Sequence, residues 1–130
     1  MPRVLPEAPD LAGQLADDID GLARSIHADV AANGHWVARE EGMRDWALAA
    51  LKAGLIGTEV SELLEEYRAG TDHDQSKRIP GFTREEDEVA DIVIRSLDLA
   101  GARGLRLGHA IAAKLQANRG RSRGHGGKRF

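Results

Sequence analysis

Four acidic residues in two pairs are the part of this chain best suited to chemistry. One pair is Glu59 and Glu62 in Glu59-Val60-Ser61-Glu62, and the other is Glu88 and Asp91 in Glu88-Val89-Ala90-Asp91. Side chains three residues apart on a helix share a face. Two helices lying side by side could therefore bring all four carboxylates together. Such a group repels itself and raises its own pKa values unless a cation neutralises it. Oxygen ligands select a hard divalent cation, with Mg²⁺ first and Mn²⁺ as a substitute.

The elements that must hold these acids read as helices. From about residue 10 to residue 32, Leu15, Ile19, Leu22, Ile26 and Val30 recur at spacings of three and four, and Asn33-Gly34 supplies a stop. A longer helix is expected over about 41–69, with Ile56, Val60, Leu63, Leu64 and Tyr67 as its apolar stripe and Gly70 as its end. Gly54 and Gly57 inside it predict a kink or a close helix contact, and Trp46 reads as core. Residues 71–82, including Asp72-His73-Asp74, read as a solvated polar loop ending at Pro80-Gly81. Thr83 with Glu86 has the form of a capping box and opens a third helix whose inward stripe is Val89, Ile92, Val93 and Leu97. A fourth, short helix is expected over about 107–118. Strand-like alternation is lacking, so the fold class is all-α: an antiparallel bundle of about four helices.

A helical wheel places the acids relative to these stripes. With Val60 as the apolar centre, Glu59, Glu62 and Glu66 fall together on one flank, displaced by roughly 100–160°. With Val89 as the centre of the third helix, Glu88 and Asp91 take the same angles, and Arg95 takes that of Glu66. The two helices thus carry matching acidic flanks beside matching apolar stripes. Neither Lys52 nor Arg68 stands at a relieving three- or four-residue spacing from the first pair.

Composition narrows the classes. The 130 residues are 30% charged and 42% hydrophobic, which describes one globular domain rather than a disordered chain. The absence of cysteine rules out disulfides and thiolate metal sites. No apolar run is long enough to span a bilayer and the start lacks a signal-peptide core, so a cytoplasmic location without membrane association is expected. Residues 119–130 carry five basic residues and no acid, against 13 basic and 21 acidic residues in the remainder. The organisation is therefore an irregular lead (1–9), a helical domain (10–118) and a basic, glycine-rich tail (119–130). Nucleic-acid binding by the tail fits poorly with the acidic body.

The acid pattern, ExxE, then 25 intervening residues, then ExxD, resembles the signature of the MazG-like all-α nucleoside triphosphate pyrophosphohydrolases. The flanking text 59–70 and 87–95 is similar in character, with looser likeness at Ile26-His27-Ala28, Gly34-His35-Trp36, Lys114, Asn118 and the tail 125–129. The resemblance implies hydrolysis of a (d)NTP between its α and β phosphates to a (d)NMP and pyrophosphate, with Mg²⁺ held by Glu59, Glu62, Glu88 and Asp91. It also implies assembly as a homodimer or homotetramer. On this reading Glu62 is the candidate base that takes the proton from the attacking water. Lys114, Asn118, Arg119, Lys128 and Arg129 are candidate substrate contacts, the cations among them for phosphate. Trp36 is a candidate stacking platform for the base, and His27 a candidate hydrogen-bonding partner for base or sugar. Phosphoribosyl-ATP is the alternative substrate. The competing reading is a non-enzymatic helical interaction module, its acidic stripe paired with its own tail or with a partner.

Overall fold

A computed structural model of the chain describes residues 13–34, 36 and 44–120. Within them are four helices: α1 (Gln14–Ala32), α2 (Asp45–Ala69), α3 (Arg84–Arg103) and α4 (Leu107–Arg119). The described residues form no strand, only one isolated antiparallel bridge between Gln75 and Thr83. The all-α expectation holds. The lead (1–9), His35, Lys128 and Arg129 lie outside the described residues.

Helix ends follow their local chemistry. The Thr83 hydroxyl accepts the Glu86 amide (3.1 Å), and the Glu86 carboxylate accepts the Thr83 amide (3.0 Å), so the capping box closes both ways. Gly70 and Gly104 end α2 and α3 in the left-handed region, at φ 68° and 62°, where glycine carries no Cβ penalty. The start of α4 has no side-chain cap of its own. Asp20 of α1 supplies it across space, accepting the Gly108 amide at 2.6 Å while its other oxygen meets His109 Nδ1 at 2.7 Å. The Gly108 amide and His109 together hold the Asp20 carboxyl below its ordinary range.

Helix α3 packs on both α1 and α2, while α4 packs on α1. The α2–α3 register is antiparallel: Glu66 approaches Arg84, Glu59 meets Arg95, and the Asp45 carbonyl accepts from Arg103. The core is small. Ala23, Leu97 and Ala100 are buried together, with Ile19, Ile26 and Leu107 packed against them. Small residues dominate because the backbones come close. A Cβ on Gly101 would overlap the Ala23 carbonyl and stand 2.8 Å from His27 Cβ, and one on Gly108 would overlap the Ala16 carbonyl. The close approaches therefore sit at Gly101 and Gly108. At Gly54 and Gly57, where the sequence predicts one, a Cβ would meet nothing within 4 Å.

The apolar stripes are only partly used. Leu97 is buried, but Val60, Leu64, Tyr67, Val89 and Val93 are exposed, and Trp46 is 68% exposed rather than core. Periodicity identifies an apolar face without saying what covers it.

The loop 71–82 is built rather than simply solvated. Ser76 is buried; its hydroxyl donates to Asp87 (2.7 Å) and accepts the amides of Arg78 (3.0 Å) and Ile79 (3.1 Å). Its amide donates to the Phe82 carbonyl, and the Arg84 amide to that of Asp74 (both 2.8 Å). These bonds fasten the loop to the first turn of α3.

Candidate metal centre

Helices α2 and α3 bring three of the four signature acids together. One carboxylate oxygen from each of Glu59, Glu88 and Asp91 lies within 4.8 Å of the other two. The antiparallel register does this by setting residues 59 and 62 of one helix against 88 and 91 of the other. Glu59 and Glu88 are only 5% and 7% exposed, and Oε2 of each is buried without a hydrogen-bond partner. A buried unpaired carboxylate oxygen is costly. Two of them on clustered side chains fit a cation, and an all-carboxylate donor set fits a hard one.

Glu62 stands at the solvent edge of this group. It is exposed, and hydrogen-bonding contact with Glu59, followed by burial, pushes its carboxyl above the ordinary range. Glu88 is raised to about 7, first by burial and then by the charge of Glu62, with Asp87 and Asp91 adding to it. Asp91 is raised by burial and by Glu59, against the pull of Arg78 and Arg95. Every resolved shift among these acids has the sign of carboxylates lacking a sufficient counter-charge.

Two arginines partly supply that charge. Arg95 Nε donates to Glu59 Oε1 at 2.6 Å, and Arg78 of the loop lies 3.8 Å from Asp91. The wheel had set Arg95 beside the acids, but only the α2–α3 register reveals its partner. Glu66, on the same flank as Glu59 and Glu62, is not part of the cluster. It accepts from the Thr71 hydroxyl and faces Arg84 at 3.6 Å.

The other site residues are placed as follows. His27 Nδ1 meets Asp98 at 2.8 Å, and Trp36 Nε1 donates to the same carboxylate at 3.0 and 3.1 Å. The two rings meet edge to face at 5.1 Å, and Lys52 Nζ sits 4.3 Å over the indole. Asp98, two turns along α3 from Asp91, is thus the buried acceptor that orients this pair. Trp36 also borders a cleft of about 280 Å³ shared with Asp45, Leu48, Leu99 and Arg103. Lys114, Asn118 and Arg119 lie exposed on α4, which packs against α1 and not beside the acids. Asp72 and His73 pair with each other at 3.2 Å.

Comparison with protein-family models, with curated proteins and with solved structures gives no match.

Proposed function

We propose that the chain is a Mg²⁺-dependent nucleoside triphosphate pyrophosphohydrolase of MazG-like type, splitting (d)NTP between the α and β phosphates to (d)NMP and pyrophosphate. The observation that carries this reading is the convergence of Glu59, Glu88 and Asp91, with two buried oxygens unpartnered. A triphosphate is an anion, and an acidic cleft accepts it only through a cation that inverts the local field. Bound Mg²⁺ would polarise phosphoryl oxygens and lower the pKa of a water.

Each residue then has a defined task. Glu59, Glu88 and Asp91 hold the ion, and Arg95 fixes the rotamer of Glu59. Glu62, exposed and with a raised proton affinity, completes the ligand set or accepts the proton of the attacking water. Trp36, held at its N–H by Asp98, offers a wall to the base in the neighbouring cleft. Lys114, Asn118, Arg119, Lys128 and Arg129 remain candidate substrate contacts, brought to the acids by a neighbouring subunit.

That subunit is part of the proposal. No large side chain among the described residues is fully buried, while Val60, Leu64 and Tyr67 are 41–52% exposed beside the acidic flank. A second copy covering these stripes would bury them and wall the cleft, giving a homodimer or homotetramer. No described helix is long and apolar enough to cross a membrane. The reading places the chain with the cytoplasmic nucleotide pool.

The test is product analysis with purified protein, Mg²⁺ and a panel of (d)NTPs plus phosphoribosyl-ATP. Nucleoside monophosphate and pyrophosphate are expected, with turnover reduced about 100-fold or more in Glu62→Ala and Glu88→Ala. Absence of pyrophosphate, or turnover unaffected by both substitutions, refutes the reading. In that case, a melting point insensitive to Mg²⁺ would favour the helical interaction module.

A further inference from the structure

Beside the acid cluster is a second, oppositely charged feature. A cleft of about 150 Å³ is lined by Glu66, Lys77, Arg78, Arg84, Asp87 and Glu88. Its three cations come from the loop 71–82 and the first residue of α3, and Glu88 is its shared wall with the candidate metal centre.

The acids of the cleft are largely engaged elsewhere. Asp87 accepts the buried Ser76 hydroxyl at 2.7 Å, and Glu66 accepts from Thr71. The cations are held only loosely. Arg78 stands 3.8 Å from Asp91 and Arg84 stands 3.6 Å from Glu66, both beyond hydrogen-bond length. Arg84 Nε is buried with no hydrogen-bond partner. Lys77 is exposed and has no ion pair among the described residues. An arginine whose task was to pair with Asp91 would close to a charge-assisted bond of about 2.8 Å, as Arg95 does on Glu59. The loop is nonetheless fixed, because Ser76 ties the Arg78 and Ile79 amides to Asp87. Unsaturated guanidinium donors on a fixed frame are a pre-organised anion receptor.

We infer that Lys77, Arg78 and Arg84 form a phosphate-binding subsite, which takes the diphosphate end of the substrate and holds the pyrophosphate product. The assignment of that anion rests on the pyrophosphohydrolase reading. The cleft is smaller than the roughly 300 Å³ at which pockets for whole small molecules begin, which suits a diphosphate and not a nucleoside. With a divalent cation on Glu59, Glu88 and Asp91, the charge of Glu88 is neutralised and Arg78 is released from Asp91 to turn to phosphate. The positive charge of the cleft then exceeds the negative. The bland alternative, that these cations only relieve the acids of α2 and α3, predicts no affinity for an anion.

The experiment is calorimetric titration of the full chain with Mg²⁺ alone and with inorganic pyrophosphate in the presence of Mg²⁺. The proteins are wild type, Lys77→Ala with Arg78→Ala, and Arg68→Ala as a charge control on the exposed face of α2. Wild type is expected to bind pyrophosphate, the double variant at least about tenfold more weakly, and the control like wild type. Mg²⁺ binding and the helical circular dichroism should be retained in the double variant, since both residues are on the surface of the loop. Pyrophosphate affinity within twofold of wild type in the double variant, equal loss in the control, or no pyrophosphate binding by wild type that does bind Mg²⁺ each overturns the subsite and leaves the metal centre standing. Binding of pyrophosphate that depends on Lys77 and Arg78 without any binding of Mg²⁺ supports the subsite and removes the metal centre.

Discussion

Arg95 Nε donates to Glu59 Oε1 at 2.6 Å and leaves Glu59 Oε2 buried and unpaired. One oxygen is fastened and the other is left without a partner, in a side chain clustered with Glu88 and Asp91, so the arginine holds the rotamer of a candidate ligand without satisfying the whole carboxylate. Removing one partner of such a pair strands a buried charge. Arg95 is more than a third exposed, so solvent moderates the loss. Arg95→Gln should destabilise the metal-free protein by about 1–2 kcal/mol. Mg²⁺ should then raise its melting temperature by more than it raises that of wild type, because the ion replaces the missing charge. Thermal melts with and without Mg²⁺ measure both, and an unchanged Mg²⁺ increment would show that Arg95 and the ion do not share Glu59.

Glu88 gives the fold a definite pH dependence. Its carboxyl titrates at about 7 when folded and near 4.5 in its ordinary state. It faces Glu59 and Glu62 of α2, Asp87 and Asp91 of its own helix, and Arg78 of the loop. A raised carboxyl means that the folded state binds its proton more tightly. Stability from this group is therefore complete below about pH 4.5, falls as the pH rises to about 7, and is absent above that. The metal-free protein should lose melting temperature across this window, and Glu88→Gln should remove most of the slope. Apparent Mg²⁺ affinity should rise over the same window, as protons cease to compete. A flat melting profile for the metal-free wild type would contradict the crowding of these acids.

Much of this site is legible in the linear pattern, and the rest is hidden for identifiable reasons. The three-residue spacing of Glu59 with Glu62 and of Glu88 with Asp91, together with the wheel angles, is a within-helix property and needs no knowledge of packing. The caps at Thr83, Gly70 and Gly104 are equally local. The Arg95–Glu59 pair depends on the register between α2 and α3, which no single-helix periodicity contains. Ser76 was concealed because a serine in a polar loop looks solvated until its hydroxyl is seen to gather two amides and Asp87. Trp46 misleads for the opposite reason: a tryptophan reads as core, whereas this one is 68% exposed at the start of α2.

Gly101 and Gly108 are the contacts that decide helix packing. Each brings its backbone against a carbonyl of α1, at Ala23 and Ala16, where no flexible side chain can yield. Gly101→Ala or Gly108→Ala should cost about 3 kcal/mol or more, lowering the melting temperature by roughly 10 °C. Gly54→Ala is the matched control, since its Cβ meets nothing within 4 Å and helix propensity alone should stabilise by up to about 1 kcal/mol. Equal effects at all three positions would mean that α1 does not approach α3 and α4 so closely.

The exposed stripes make assembly testable. Leu64 of α2 and Val93 of α3 are about half exposed, at 52% and 48%. Among the described residues the buried apolar side chains are mostly alanine, and the proposed function calls for a second copy as the cover for the water-facing branched aliphatics. Sedimentation of wild type should give a multiple of 14.0 kDa, with a melting temperature that rises with protein concentration. Leu64→Glu with Val93→Glu should shift the chain to monomer, abolish the concentration dependence and lower the melting temperature, because the lost interface also contributes to the fold. A wild type that sediments as a monomer would leave Lys114, Asn118 and Arg119, placed on α4 away from the acids, with no subunit to bring them to the substrate.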